Sequence, residues 1–111
     1  MEVTVEASGA ALVVRPQGRL DSASSPEFEK QLLTCVDGGA TAVVLDLGGL
    51  VYISSAGLRV LLVVARRLRG VNGRLLICAI GPPLRDAFEI SGLMTIFDVR
   101  ASVTDALAAL R

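Results

Sequence analysis

The chain has 111 residues, of which 52% are hydrophobic, and its formal net charge is zero. This length and apolar content suit one domain with a buried core, so we expect a single domain over residues 1–111. The zero net charge gives no bulk attraction to nucleic acid or to an acidic membrane, so neither is expected as a partner. Arg59 interrupts the longest apolar stretch, well short of the roughly 18 residues of a membrane span, and the first residues lack the basic start of a signal peptide. We therefore expect a cytoplasmic protein without membrane insertion.

The N-terminal segment predicts an antiparallel β-hairpin. VTVEA at 3–7 alternates polar and apolar residues, ALVVRPQG at 11–18 is a second strand candidate, and Ser8-Gly9 marks the turn between them. Pro16 predicts that the second strand has ended by that residue or lies at a sheet edge.

A helix is predicted next, over SSPEFEKQLLTCVDGG at 24–39. Ser24 or Ser25 is its expected cap, Pro26 suits its first turn, and Gly38-Gly39 ends it.

Strands and helices then alternate to the end of the chain. TAVVLDL at 41–47 is a continuous apolar run, typical of a strand covered on both faces. The later elements are predicted to be a helix over 55–69, a strand over 74–80, a short helix over 81–92, a strand over 95–99, and a helix over 102–111 with Ser102 and Asp105 spaced as a capping box. This order predicts an α/β sandwich with a mixed sheet of about five strands and about four helices.

The residue types exclude common catalytic devices. Histidine is absent, so a Ser-His-Asp triad is impossible and the commonest metal ligand is missing. Lys30 is the only lysine, and there is no GxxxxGK[ST] phosphate loop. Cys35 and Cys78 lie far apart in apolar surroundings, which favours buried thiols over a disulfide or a metal site. We expect no enzymatic activity, no metal and no cofactor.

Two carboxylates are predicted near strand ends, where open α/β sheets gather functional groups. These are Asp21 and Asp46, and turn formation accounts for Asp21 equally well. A nucleotide-binding or hydrolytic domain that uses Asp21, Asp46 and Ser55 is therefore one hypothesis. The missing histidine and phosphate loop weigh against it.

The helix that begins near Ser55 has two distinct faces. At about 100° per residue, its predicted core stripe consists of Leu58, Leu61, Leu62, Ala65 and Leu68. A second row faces away from the core, and we call it the outward row: Ser55, Arg59, Val63 and Arg66. Such a row can meet a partner, although an ordinary solvated surface would show the same residue types.

Two adjacent serines, Ser54 and Ser55, open this helix. One serine can cap the helix, which is worth on the order of 1 kcal/mol, but capping does not explain two. A phosphate at this place would face the amide groups and the positive dipole end of the helix, with Arg59 one turn away.

YISSAGLRVLL at 52–62, preceded by VVLDLGGL at 43–50 and by GRLDS at 18–22, resembles the STAS domain of bacterial anti-sigma factor antagonists. The order of elements over nearly the whole chain resembles it as well. The resemblance implies that the helix-opening serine is phosphorylated by a serine kinase of the GHKL type, which is also the anti-sigma factor. Only the unphosphorylated antagonist binds this kinase and frees the sigma factor, and a metal-dependent serine phosphatase resets it.

Alignment of Gly57-Leu58 with the Gly-Leu pair of the family implies Ser55 as the phosphoacceptor, with Ser54 as the alternative. Many members have Asp-Ser-Ser-Gly-Leu, so Ser54 stands in the usual aspartate position and Ala56 in that of the second serine. The expected partner-binding residues are Asp21, Ser54, Ser55, Arg59, Val63 and Arg66. The alternative within the family is an adaptor subunit of another assembly, such as a stressosome-like or lipid-transport complex.

Overall fold

The N-terminal alternation forms an antiparallel hairpin in the computed structural model, which describes residues 1–111. Strand β1 (Glu2–Ser8) pairs with β2 (Ala11–Leu20), with Val5 opposite Val14. Gly9 has a φ of 60°, the left-handed conformation that glycine adopts without a steric cost. The predicted hairpin is confirmed.

Strand β2 continues through Pro16, so the prediction that it ends there or lies at an edge is wrong. Its parallel pairing with β3 (Ala42–Asp46) stops at Val14, and its pairing with β4 (Leu50–Ile53) starts at Gly18. Pro16 lies between these two registers, where the missing N–H costs no ladder hydrogen bond.

The centre of the sheet is parallel. Strand β3 pairs with β5 (Arg74–Cys78), and β5 pairs with β6 (Asp98–Arg100), giving the order β1-β2-β3-β5-β6. Val43, Val44 and Leu45 of β3 are each 0% exposed, which confirms a strand covered on both faces.

Strand β4 is a sixth strand that the sequence pattern does not predict, and it branches off this order to pair with β2 alone. The last strand also differs, because it begins at Asp98 rather than at Thr95. Leu93–Thr95 forms a short 3₁₀ turn, and Phe97 is 7% exposed because it packs edge-on against Phe88 at a centroid distance of 6.3 Å. Leu93 and Phe97 before β6 therefore fill the core and do not extend the strand, whereas Ile96 is exposed.

Helices cover both faces of the sheet. Three of them, α1 (Ser25–Asp37), α2 (Ser55–Gly70) and α3 (Pro82–Ile90), bury the larger core cluster of 21 residues against one face. The fourth, α4 (Val103–Ala109), places Ala106 in a smaller cluster on the other face, and Ser102 Oγ accepts a hydrogen bond from Asp105 N at 3.1 Å. The α/β sandwich is confirmed, and none of its helices has the length and hydropathy to cross a membrane.

Candidate functional site at the start of helix α2

The candidate site forms where two parallel strands end side by side. Leu20 of β2 pairs with Ile53 of β4, and Ser54 N donates to Leu20 O at 2.9 Å. The next residue is Asp21 on one side and Ser54, followed by Ser55, on the other. The structure thus places Asp21, which is predicted to lie near a strand end, beside the two serines that open the helix.

Gly57 allows the first turn of α2 to lie directly on these strand ends. A Cβ atom at residue 57 would be 2.8 Å from Leu20 Cγ, 2.8 Å from Ile53 Cγ1 and 3.0 Å from Leu20 O. Gly57 itself is buried. Its place in the sequence motif is therefore explained by close packing, since only a hydrogen fits between the helix and the two strands.

Ser54 is the N-cap of α2. Its backbone is extended, and its Oγ accepts a hydrogen bond from Gly57 N at 3.3 Å. The side chain is half-buried. One of the two hydroxyls is thus used by the fold itself.

Ser55 differs from Ser54 in its position in the helix, its exposure and its hydrogen bonding. It is the first residue of α2, it is exposed, and its hydroxyl makes no hydrogen bond within the chain. The first turn of α2 contains no acidic residue, so the positive end of the helix dipole there is not neutralised by a side chain. The helix end at Ser55 therefore favours an added negative charge.

Asp21 organises the loop that leads into α1. Its Oδ1 accepts hydrogen bonds from Ala23 N at 3.0 Å and from Ser24 N at 3.1 Å. The Ser24 backbone hydrogen bond is the main reason that the pKa of Asp21 lies below its usual range, and Arg19, 3.9 Å from Oδ2, contributes. Asp21 therefore forms a turn, and it does so beside the two serines.

Ser24, one of the two expected caps of α1, occupies the N-cap position without capping the helix through its side chain. Its hydroxyl donates to Arg19 O at 2.9 Å and accepts from Asp21 N at 3.0 Å. The hydroxyl links the end of β2 to the loop, which holds Asp21 in place.

The outward row of α2 faces away from the core, as predicted. Ser55, Arg59 and Arg66 are exposed, and Val63 is half-buried. The predicted core stripe, by contrast, is displaced by one residue: Leu61 and Leu68 are fully buried, while Leu58, Leu62 and Ala65 are only half-buried. The buried face of α2 consists of Gly57, Val60, Leu61, Val64 and Leu68.

Val51 and Tyr52 of β4 add an apolar surface that the sequence pattern does not identify. They are 60% and 40% exposed, and the Arg19 guanidinium lies 4.2 Å from the centroid of the Tyr52 ring. Both residues lie between the buried Leu50 and Ile53 in a short strand at the sheet margin. Two adjacent large side chains shortly before the serine pair are the only sequence signal for this surface.

Asp46 does not join the site. Its Oδ2 lies 3.3 Å from Arg15 Nε, and its Oδ1 accepts from Gly48 N at 2.9 Å. The structure contains no cluster of three or more Asp, Glu, Cys or His side chains that would hold a metal ion. Asp46 and Asp21 make separate local contacts, so these two carboxylates do not form a convergent acid–base pair.

The two cysteines are free thiols outside this site. Cys78 is buried, as predicted, and Cys35 is only half-buried. Burial raises the pKa of Cys78 to about 11, with a further increase from the nearby Asp46 carboxylate. A thiol with this pKa stays protonated and unreactive at neutral pH.

Comparison with known proteins identifies close relatives. Residues 2–106 match the family model of the STAS domain. BtrV of Bordetella bronchiseptica, a protein named as an anti-sigma factor antagonist, is 46% identical over 111 residues, covering 100% of this chain and 96% of BtrV. The solved structure of an anti-sigma factor antagonist from Mycobacterium paratuberculosis has a TM-score of 0.89 at 28% identity, covering 97% of this chain and 92% of that one. SpoIIAA of Bacillus in its phosphorylated form has a TM-score of 0.76 at 25% identity, covering 99% and 100% of the two chains.

Proposed function

Because the chain belongs to the STAS domain family, with relatives named as anti-sigma factor antagonists, we propose that it is an antagonist controlled by phosphorylation of Ser55. When unphosphorylated, it binds a GHKL-type serine kinase that is also an anti-sigma factor, and the sigma factor is released. Phosphorylation by that kinase ends binding, and a metal-dependent serine phosphatase restores it. The protein acts in the cytoplasm by binding, not by catalysis.

The observation that carries this proposal is the different use of two adjacent hydroxyls. Ser54 Oγ is engaged in capping α2, whereas the Ser55 hydroxyl is exposed and has no partner in the chain. A kinase needs an acceptor hydroxyl that it can reach without breaking the fold. Ser55 meets this requirement and Ser54 does not, which supports Ser55 as the acceptor that the family motif implies.

Electrostatics supports a phosphate that blocks docking without unfolding the domain. A phosphoserine adds about −1.5 to −2 charges at neutral pH. At the first residue of α2 this charge meets the positive end of the helix dipole, so the helix is stabilised by about 0.3 to 1 kcal/mol. The unfavourable effect then falls on the complex, where the added charge is desolvated and repels acidic groups of the kinase.

The proposed docking surface combines the site with the outward row. Asp21 and Ser54 lie beside Ser55, and Arg59, Val63 and Arg66 continue along the exposed side of α2. One half-buried valine between two exposed arginines gives a small apolar contact with a polar rim, the arrangement that protein interfaces favour.

The proposal is tested with the cognate kinase by calorimetric titration of the wild type and of Ser55→Asp. We expect Ser55→Asp to bind at least tenfold more weakly, a loss of about 1.4 kcal/mol or more. Its thermal stability should remain close to that of the wild type. Equal affinity of the two proteins would contradict a switch that acts through charge at residue 55.

The adaptor hypothesis makes a different prediction in the same experiment. An adaptor subunit of a larger assembly would bind its partners whether or not residue 55 carries a charge. The nucleotide-binding hypothesis has lost its main support, because Asp46 pairs with Arg15 and not with the residues around Ser55. Titration of the purified protein with ATP and GTP tests it directly, and we expect no binding heat.

A further inference from the structure

Arg59, the charged residue one turn after Ser55, already has an ion-pair partner. Arg59 follows Ser55 by four residues on α2, so the two side chains share one side of the helix. Its guanidinium Nη2 donates to Glu29 Oε1 of α1 at 3.2 Å. The Arg59 side chain is 65% exposed and that of Glu29 is 27% exposed. The arginine is therefore the less constrained side chain of the pair.

Resting on the proposed function, we propose that phosphorylation of Ser55 draws Arg59 away from Glu29 and onto the phosphate. Glu29 is then left as an unpaired carboxylate at the margin of the docking surface, where it contacts Arg59 before the exchange. One modification thus adds negative charge at residue 55 on α2 and removes the cation that neutralises Glu29 on α1. Both changes oppose the approach of an acidic partner surface.

The direction of the exchange follows from charge and geometry. A phosphoserine carries about −1.5 to −2 charges and three acceptor oxygens, whereas the Glu29 carboxylate carries −1 and two. An acidic group four residues before an arginine is also the favourable orientation for an ion pair along a helix. Arg59 keeps one ion pair before and after the exchange, so the exchange itself leaves the stability of the fold nearly unchanged.

The neighbouring charges do not compete for the phosphate in the same way. Arg19 is held between Asp21, at 3.9 Å, and the Tyr52 ring. A second ion pair joins the same two helices, between Arg67 of α2 and Asp37 of α1 at 2.7 Å. Arg67 lies twelve residues after Ser55, about 18 Å along the helix axis, beyond the reach of the phosphate. This second pair is a matched control for the first.

The capture of Arg59 is tested on protein with phosphoserine encoded at position 55, so the kinase is not needed. A ³¹P NMR titration gives the second pKa of the phosphate, ordinarily about 6. We expect Arg59→Gln to raise this pKa by about 0.3 or more, because a cation that favours the dianion is lost. Arg67→Gln should leave it unchanged. Equal pKa values in the wild type and Arg59→Gln would overturn the exchange.

The departure of Arg59 from Glu29 is followed on the Arg59 side-chain Nε–Hε resonance. It should shift on phosphorylation in the wild type, while the Arg67 resonance stays in place. An Arg59 resonance that does not move would also overturn the proposal.

The role of the exposed Glu29 carboxylate is tested on unphosphorylated protein with the kinase. Arg59→Gln leaves Glu29 unpaired and should weaken binding several-fold, and the double variant Glu29→Gln/Arg59→Gln should recover part of that loss. A double variant that binds as weakly as Arg59→Gln would exclude a repulsive role of Glu29. Failure of the proposed function itself would appear differently, as equal kinase affinity of the wild type and Ser55→Asp, while the ³¹P result stands by itself.

Discussion

At the scale of single residues, Ser54 and Ser55 have the same side chain and different roles. The position of each relative to the helix start decides the role: Ser54 is at the N-cap with an extended backbone, and Ser55 is one residue inside α2. Only the N-cap hydroxyl reaches the free amides of the first turn. The hydroxyl one residue later is exposed and makes no hydrogen bond within the chain, so it is free to act as the acceptor that we propose.

This difference predicts opposite effects of two alanine variants. Ser55→Ala should abolish phosphorylation by the cognate kinase and leave the free energy of unfolding within about 0.5 kcal/mol of the wild type, since no contact is lost. Ser54→Ala should still be phosphorylated and should be destabilised by about 1 kcal/mol through loss of the cap. Phosphopeptide mass spectrometry and urea denaturation measure the two effects. A phosphate mapped to Ser54 would contradict the assignment.

Gly57 gives a second prediction at this scale. Gly57→Ala should destabilise the protein by about 1 to 3 kcal/mol, because the new methyl group overlaps Leu20 and Ile53. Urea denaturation measures the loss.

Gly70, at the other end of the same helix, is the matched control. A Cβ there would meet nothing within 4 Å, so Gly70→Ala should be neutral or stabilising, by up to about 1 kcal/mol. If Gly57→Ala is as stable as the wild type, the start of α2 does not pack closely against Leu20 and Ile53.

At the scale of elements, helix α2 presents one face to the core and the opposite face to solvent. Gly57, Val60 and Val64 lie on the buried face, and Arg59 and Val63 lie on the other. The half-buried Val63 in a row of polar residues is the feature that ordinary solvated surface does not require. The outward row is therefore the part of α2 that we propose as the docking surface.

Substitutions in this row should weaken kinase binding without unfolding the protein. We expect at least a tenfold loss of affinity for Val63→Asp, because a charge is desolvated in the contact, and a similar loss for Arg59→Glu. Circular dichroism should show an intact fold in both. Arg85→Glu on α3, exposed and outside the proposed surface, is the control and should bind like the wild type. Unchanged affinity of Val63→Asp and Arg59→Glu would remove this face from the docking surface.

Most helices and strands can be predicted from the sequence because the residue patterns that indicate them are local. Alternation in the hairpin, Pro26 and Gly38 at the ends of α1, and the Ser102 cap of α4 all depend on neighbours within a few residues. Strand β4 was missed because its four residues have no alternation, and they are a strand only because β2 extends beyond β3 to receive them. The place of Pro16 inside β2 cannot be predicted for the same reason, since the gap between the two partner strands is a tertiary feature.

The candidate site was predicted in part for a related reason. Asp21 follows a strand and the two serines open a helix, and both of these signals can be read from the sequence. The one-residue displacement of the α2 core stripe cannot be predicted from the sequence. Helical periodicity alone does not say which of two adjacent apolar stripes the sheet will cover. Contacts between distant segments, such as Arg59 with Glu29 and Arg19 with Tyr52, depend on the packing of α1 against α2 and of β2 against β4.

At the scale of the whole molecule, the two faces of the sheet are covered by apolar clusters of different size. Three helices and the larger cluster stabilise one face, which also positions the start of α2. The other face has α4, a smaller apolar cluster and, at the carboxyl end of β5, the buried Cys78 thiol close to Asp46 and Arg15. Ionisation in that face would bury a negative charge near the Asp46 carboxylate, and the nearby Arg15 offsets only part of this cost.

This arrangement predicts that stability falls at alkaline pH through Cys78. Its pKa is raised from 9.0 to about 11, mainly by burial, so the folded state holds the thiol proton more tightly than the unfolded state does. The stabilisation is fully present below pH 9 and is lost as the pH rises towards 11. Urea denaturation at pH 8 and at about pH 10.5 should show a loss of roughly 2 kcal/mol that Cys78→Ala does not show. The comparison isolates Cys78, because the two proteins are otherwise identical. If the wild type and Cys78→Ala lose stability in parallel, another group is responsible, and the smaller cluster on the α4 face tolerates a thiolate.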